Sequence, residues 1–362
     1  MFAALISLLI LGVLVIVHEA GHLVVARWAG VRILRFSVGF GPRLWTFKRG
    51  HTEYAISAIP LGGYVKMSGE QRAEHAHKPY DYLSKPPGAR ALIIFAGPFV
   101  NYLVAFLSLW TVYVIGYPEL LPAVGKIVDG MPAQAAGIAV GDHILAVNNA
   151  QVRTWEELTT AVYASPDRPI TLRIERQGEE RTVRLTPDAK DITDPLGRRK
   201  TIGLIGVGPS GEFRPYKLGP VEAFGRAFRQ QIQWTEETFA AMGSLLTGRL
   251  ALRDSVTGPI GLVYLTSDAV KLGVAPVLFL ASLFSLSLGI FNLFPIPILD
   301  GGHLFFLLVE KLRGKAVSIR IQERAAQVSF VLLMTLVLVI SFNDLNRFGL
   351  LKRVGQFFGA GE

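Results

Sequence analysis

Residues 18–22 read His18-Glu19-Ala20-Gly21-His22, inside a stretch that is otherwise free of charge from Phe2 to Ala26. On a helix, two histidines four positions apart leave the same face and can grip one metal ion through their imidazoles. Zinc suits such ligands: it acidifies a bound water to a pKa of about 7 and polarises a carbonyl, while the adjacent Glu19 can take the water's proton. The chemistry this spacing spells is peptide hydrolysis. A blander reading, a polar cluster solvated at a helix end, competes with it. Ionisable groups within a membrane-length apolar segment are costly, however, and by default mark functional sites.

Two imidazoles need a third protein ligand. Val25 and Trp28 stand where an extended metzincin motif would place its glycine and third histidine, and no acidic residue follows Glu19 until Glu53. The chain has no cysteine, so any ligand is nitrogen or oxygen and disulfides are excluded. Far downstream, Asn292-Leu293-Phe294-Pro295-Ile296-Pro297-Ile298-Leu299-Asp300-Gly301-Gly302-His303 closes another apolar stretch and makes Asp300 the candidate. An Asp-Gly turn that merely ends the helix is the alternative. Pro295 and Pro297 break the backbone just before it, which at membrane depth is tolerated only inside protein or along a water-filled cavity.

These residues need a membrane scaffold. Of the 362 residues, 51% are hydrophobic and only 18% charged, and the mean hydropathy is +0.39, too apolar for an ordinary soluble domain. A hydrocarbon core about 30 Å thick takes roughly twenty apolar residues as a helix. Phe2–Ala26, Ala91–Tyr117 and 274–298 meet that length, and Val328–Phe342 meets it if extended upstream and tilted. Four spans are expected. The first has no basic leader region and carries the His–Glu cluster, so it reads as a retained span rather than a cleaved signal. The net charge of +9 fits basic loops facing anionic headgroups, and no nucleic-acid partner is expected.

Eleven Lys and Arg residues lie from Arg27 to Arg90, Arg72 among them, and none precedes the first span. That loop should face the cytoplasm. Spans one and three then cross in the same direction, and their C-terminal ends, bearing His22 and Asp300, share the cytoplasmic side. Between spans one and two, Val31–Met67 alternates polar and apolar residues with interrupting Gly and Pro, the pattern of a small β-sheet. Its Gly62, Gly63 and Tyr64 are candidates for an edge that captures an unwound substrate strand. Gln71–Lys85 reads as a loop.

Residues 121–187 read as a soluble domain, with strands at Ala123–Val128, His143–Val147, Ile170–Arg176 and Arg181–Leu185 and a helix beginning near Trp155. By the same topology it lies outside the cytoplasm. Asp188–Lys200 reads as a charged linker and Thr201–Val207 as one more strand. Phe224, Phe228, Ile232, Phe239, Met242 and Leu246 then make one apolar helical face, expected to lie on the bilayer. The division expected is 1–118 for the first half of a membrane core, 121–187 for the soluble domain, 188–250 for linker, strand and amphipathic helix, and 251–362 for the second half.

Taken together, His18–His22, Gly62-Gly63-Tyr64-Val65-Lys66, Phe95-Ala96-Gly97-Pro98-Phe99-Val100-Asn101 and Asn292-x-x-Pro295 with Leu299-Asp300-Gly301 resemble the site-2 protease family of intramembrane metalloproteases, in its bacterial regulator-of-sigma-E branch. The resemblance covers nearly the whole chain. It implies that His18, His22 and Asp300 hold Zn2+, that Glu19 is the base, and that Asn292 positions the substrate or stabilises the oxyanion. Pro132-Ala133, Ala136-Gly137-Ile138 and Gly141-Asp142, with Asn148, resemble a PDZ domain, a fold that binds peptide segments. Many relatives carry two such domains in tandem, whereas one is expected in this chain. The expectation is therefore a four-span α-helical protease of the bacterial inner membrane with a membrane-associated β-element and one inserted extracytoplasmic PDZ domain. Its substrates would be transmembrane segments, in regulated proteolysis such as anti-sigma-factor cleavage. A membrane-anchored PDZ adaptor with a vestigial metal site is the alternative.

Overall fold

The computed structural model describes residues 2–71, 76–194, 197–250 and 257–347; Arg72, residues 251–256 and the tail 348–362 lie outside the described residues. Four helices are long and apolar enough to cross a membrane: Phe2–Trp28, Pro87–Ile115, Val274–Asn292 and Ile319–Arg347, the first to fourth spans. Helices satisfy their own backbone, which hydrocarbon cannot. The chain divides into two compact units, one of Met1–Thr111, Phe224–Thr238 and Arg253–Glu362, the other of Val112–Ala223 and Phe239–Leu252.

In the first unit, the third span ends at Asn292, short of the expected Ile298. Pro295 and Pro297 are the reason, since proline cannot donate to the helix and disfavours helical backbone before it. Residues 293–299 turn through short hydrogen bonds, Ile296 N–H to Phe294 O at 2.7 Å and Leu299 N–H to Ile296 O at 2.8 Å. A new helix, Asp300–Arg313, follows. Asp300 thus opens a helix instead of closing one. The fold-back is tight: a Cβ on Gly301 would lie 2.2 Å from the Leu293 carbonyl oxygen, so only glycine fits. Arg90, buried at the start of the second span, pairs with Glu310 at 2.6 Å and fastens the new helix to that span. A further helix, Pro259–Leu272, packs on the first and fourth spans. Leu14, Ala269, Leu280 and Phe284 form the core that joins it to the first and third spans.

The β-element is made of β1 (Ile33–Arg49) and β2 (Thr52–Met67). The early part of β1 is paired on both sides, with Phe36 opposite Tyr54 and also opposite Val65, while the late part pairs as Trp45 with Ile56. Residues 63–67 consequently form an outer row. Residues 71–85, expected as loop, include a short turn of helix at Tyr82–Ser84. The amphipathic helix spans Pro220–Leu246. Its apolar stripe, with Phe224, Phe228, Ile232 and Phe239, stays exposed. The neighbouring flank does not simply lie on a bilayer: buried Gln231 donates to the Tyr102 carbonyl at 2.9 Å, and Trp234 packs edge-on to Phe279 of the third span.

In the second unit, a four-stranded sheet runs in the order Ala150–Gln151, His143–Val147, Ile170–Arg176, Glu179–Leu185. Helix Trp155–Tyr163 covers it, its first turn capped by the Thr154 hydroxyl, which accepts from Glu157 N–H at 3.2 Å. Val124, Ile144, Leu158, Leu172 and Ile174 form the core. Two expectations change here. The expected linker Asp188–Lys200 is instead largely a hairpin, Asp188–Thr193 paired with Arg199–Leu204. The unit also closes later than residue 187, because Val207–Pro209 pairs with Val124–Ile127. Charge and turn residues had masked the alternation that a solvent-facing hairpin needs. A groove lined by Trp155, Leu158, Val162, Leu204, Ile205 and Val207 runs between the helix and the 204–209 segment.

Candidate metal centre

Three distant groups meet in the first unit. His18 and His22 project from one face of the first span, and Asp300 reaches them from the first turn of its helix. One ligand atom from each lies within 4.8 Å of the others. His18 Nε2 and His22 Nε2 are 3.2 Å apart, and Asp300 Oδ2 lies 3.0 Å from the first and 3.5 Å from the second. Ligands on tetrahedral zinc at about 2.0–2.1 Å stand about 3.3 Å from one another, so the three atoms already mark one face of such a tetrahedron.

The donor set fits zinc on other grounds. His22 Nδ1–H donates to the Ile93 carbonyl at 2.9 Å; a carbonyl only accepts, so the proton is fixed on Nδ1 and the Nε2 lone pair is free. Asp300 Oδ2 is buried without an aligned hydrogen bond, an acceptor facing imidazole nitrogens. Space is reserved as well, because a Cβ on Gly97 of the second span would fall 2.4 Å from His22 Nε2 and 2.8 Å from His18 Cε1. Both histidines are buried. Two nitrogens and one carboxylate oxygen, with no fourth ligand grouped with them among the described residues, fit the pattern of catalytic rather than structural zinc.

Glu19 stands beside the cluster without belonging to it. Its Oε2 accepts from Val65 N–H of the outer β-row at 3.1 Å. Gly63 is near as well: a Cβ there would lie 3.7 Å from Glu19 Cγ. Of the expected edge residues, Gly63 and Tyr64 pair with Val38 and Ser37 in that outer row, and Gly62 precedes them. Asn292, half-buried, closes the third span at the start of the turn that leads to Asp300.

The sequence alone did not single out Gly97, Asn101, the Ile93 carbonyl or the Val65 amide as neighbours of the histidines. Asn101 had a signal, being a polar residue in the middle of an apolar span. The backbone groups had none, since a carbonyl's aim is set by the fold and not by the side chain that bears it.

The sequence profile of peptidase family M50 matches residues 6–336. A Rhizobium meliloti (strain 1021) protein with a provisional zinc-metalloprotease name is 36% identical over 359 residues, covering 94% of this chain and 95% of that one. The zinc metalloprotease RasP of Geobacillus kaustophilus is 30% identical over 419 residues, covering 94% and 97%, and the regulator of sigma-E protease RseP of Escherichia coli K12 is 32% identical over 443 residues, covering 93% and 97%. A solved PDZ domain from an SdrC-like protein of Listeria monocytogenes aligns with 26% of this chain and 88% of its own at 16% identity and a TM-score of 0.20, too low to bear on the second unit. With the motif, the convergent ligands and the full-length match in agreement, this chain belongs to peptidase family M50 and is a zinc metallopeptidase of the site-2 protease type.

Proposed function

We propose that this protein cleaves peptide bonds within transmembrane segments of other membrane proteins, with His18, His22 and Asp300 holding the zinc and Glu19 acting as general base. The observation that carries the reading is the set of separations of 3.0, 3.2 and 3.5 Å among the three ligand atoms, contributed by helices far apart in sequence. When bound, zinc supplies Lewis acidity toward a carbonyl and lowers the pKa of a water to about 7. The protein's own groups do the rest. Glu19 takes a proton from the attacking water and can return it to the leaving amine. Val65 N–H holds the Glu19 carboxylate on the side of the β-element. The outer row at Gly62, Gly63 and Tyr64 offers an edge for an unwound substrate, whose own helix hides its amides. Asn292 takes the role of orienting the substrate or the developing oxyanion.

The second unit is read as a PDZ domain that selects substrates. Its support is the sequence likeness around Gly141-Asp142 and the groove between helix Trp155–Tyr163 and residues 204–209, where a peptide could add. The alignment with RseP runs to 443 positions against 362 residues here, so that relative carries inserted sequence, in keeping with one such domain in this chain. The basic loop after the first span supports a cytoplasmic active-site end in a bacterial inner membrane and an extracytoplasmic PDZ domain. Cleavage would follow trimming of the substrate by another protease, as in anti-sigma-factor control.

The direct test is zinc content and cleavage of a model transmembrane substrate by purified protein. Asp300→Ala should lose most zinc and all cleavage; full retention of both would sink the ligand assignment. Sidedness is checked separately with single cysteines, since the chain has none of its own. Cysteines at Gln71 and Ser318 should label only from the cytoplasm and one at Gln151 only from outside. Outside labelling at position 71 would invert the topology.

A further inference from the structure

The two histidines are held differently. His22 meets a backbone carbonyl through Nδ1, and that bond admits one tautomer only. His18 Nδ1 meets the Asn101 side-chain amide at 3.1 Å. Asn101 is fully buried in the second span, in surroundings where an amide is retained only if it is used. Its backbone carbonyl is separately engaged, accepting from the Ser285 hydroxyl at 2.8 Å. Its side-chain Oδ1 is buried with no hydrogen-bond partner among the described residues. A fully buried amide whose one side-chain partner among the described residues is a candidate metal ligand is placed to control that ligand.

A neutral amide can serve either imidazole tautomer from the same position, by exchanging its oxygen and nitrogen. As oriented here, Asn101 Nδ2–H donates to a His18 Nδ1 lone pair, which puts the imidazole proton on Nε2, where His22 Nε2 at 3.2 Å can accept it. That arrangement is self-consistent without a metal. Metal ligation through Nε2 requires the opposite tautomer, with the proton on Nδ1 and an acceptor facing it. Rotation of the amide by a half turn supplies that acceptor at no change in volume.

Resting on the ligand reading above, we infer that Asn101 is a positioning residue whose amide turns over when zinc binds, its Oδ1 then accepting from His18 Nδ1–H and holding Nε2 toward the metal. His22 is a permanently set ligand. His18 is a switchable one, and Asn101 sets it.

The inference separates two substitutions of similar size. Asn101→Asp keeps an acceptor and removes the donor; Asn101→Leu removes both. Purified full-length protein is challenged with a graded zinc chelator, and retained zinc is measured by mass spectrometry, with His18→Ala as the reference for loss of a ligand. Asn101→Leu should weaken zinc binding about 10–100-fold, the scale of losing a partner behind a ligating histidine, and Asn101→Asp should stay within about threefold of the parent. Equal weakening in both variants overturns the acceptor role, as does parental affinity in Asn101→Leu. If Asn101→Leu does not fold, Asn101→Asp alone decides, because a donor role at the loaded site would make it weak. Parental zinc affinity in His18→Ala would instead strike the ligand reading itself.

Discussion

The backbone N–H of Val65 donates to Glu19 Oε2 at 3.1 Å, joining the proposed base to the outer row of the β-element. The side chain beside the proposed metal ligands is thus held by a strand as well as by its own helix. Glu19→Gln should keep zinc near the parental level and lower kcat at least about 100-fold, since it removes the proton acceptor and no ligand. Val65→Pro should also keep zinc, because that N–H is spent on Glu19 and proline is tolerated where an edge N–H leaves the ladder. Its kcat should fall roughly tenfold, the scale of one hydrogen bond to a charged group. Parental kcat in Val65→Pro would show that the strand does not orient the base.

At Gly97 of the second span, a methyl group would strike both imidazoles. His22 cannot swing aside without breaking its bond to Ile93 O. Gly97→Ala should therefore weaken zinc at least about tenfold, a second-neighbour effect comparable with losing a partner of a ligand. Gly88→Ala, on the same helix with open space around it, is the control and should leave zinc unchanged. Titration of both variants with a zinc chelator reads the difference.

In the second unit, Asp142 is fully buried and accepts from Arg176 Nε at 2.6 Å, from Arg176 Nη2 at 2.7 Å and from Ala139 N–H at 2.8 Å. Burial by itself would raise the carboxyl's pKa; the Arg176 and Ala139 hydrogen bonds outweigh it and hold the carboxyl below its ordinary range. A depressed folded value means that the pair stabilises the unit above the unfolded aspartate pKa of about 3.9, and that this stabilisation is lost as pH falls through the folded value. Arg176→Met should destabilise the unit by roughly 3 kcal/mol at pH 7, because it strands a buried carboxylate. The gap from the parent should narrow as pH is lowered below about 4. Hydrogen exchange of Ile170–Arg176 in the full-length protein measures both; a gap that does not change with pH would assign the loss to packing.

The most apolar window of the fourth span buries none of its residues, yet Asp344 near its end is fully buried and accepts from Gly261 N–H at 2.9 Å. It thereby caps the first turn of helix Pro259–Leu272 from another helix, where a carboxylate is favoured by the unpaired amides and the helix dipole. Asp344→Leu should cost about 1–2 kcal/mol in docking of the fourth span, and Asp344→Asn distinctly less. Denaturant-dependent crosslinking between cysteines placed on the two helices reports the effect. Equal crosslinking in all three proteins would leave the cap without energetic weight.

What could be read from the residues was what periodicity and motif spacing encode. His143–Val147 and Ile170–Arg176 form the strands their alternation predicts, and His18, Glu19 and His22 share the helix their spacing requires. Asp300 was legible as a candidate because two histidines leave a ligand short. The helix that Asp300 opens was not, because its two leading glycines argue against a helix start until the tight fold-back onto the Leu293 carbonyl is seen. Helix Pro259–Leu272 was hidden in the same way, its polar Thr266, Asp268 and Lys271 breaking the apolar run that marks a span. The hairpin at Asp188–Leu204 carries too few apolar residues for alternation to register.

The division of the ligands along the chain bears on how the protein is made. His18 and His22 leave the ribosome early and enter the membrane with the first span, whereas Asp300 is added only after three spans and the whole second unit have been synthesised. On the proposed ligand set, a growing chain until then holds two imidazoles and Glu19 but lacks the third ligand, so it would not yet be a hydrolase. Competence would arrive with the turn after the third span, where Gly301 lets Asp300 fold back. By that reading, the unfinished helices of sibling chains would be spared attack from half-built copies.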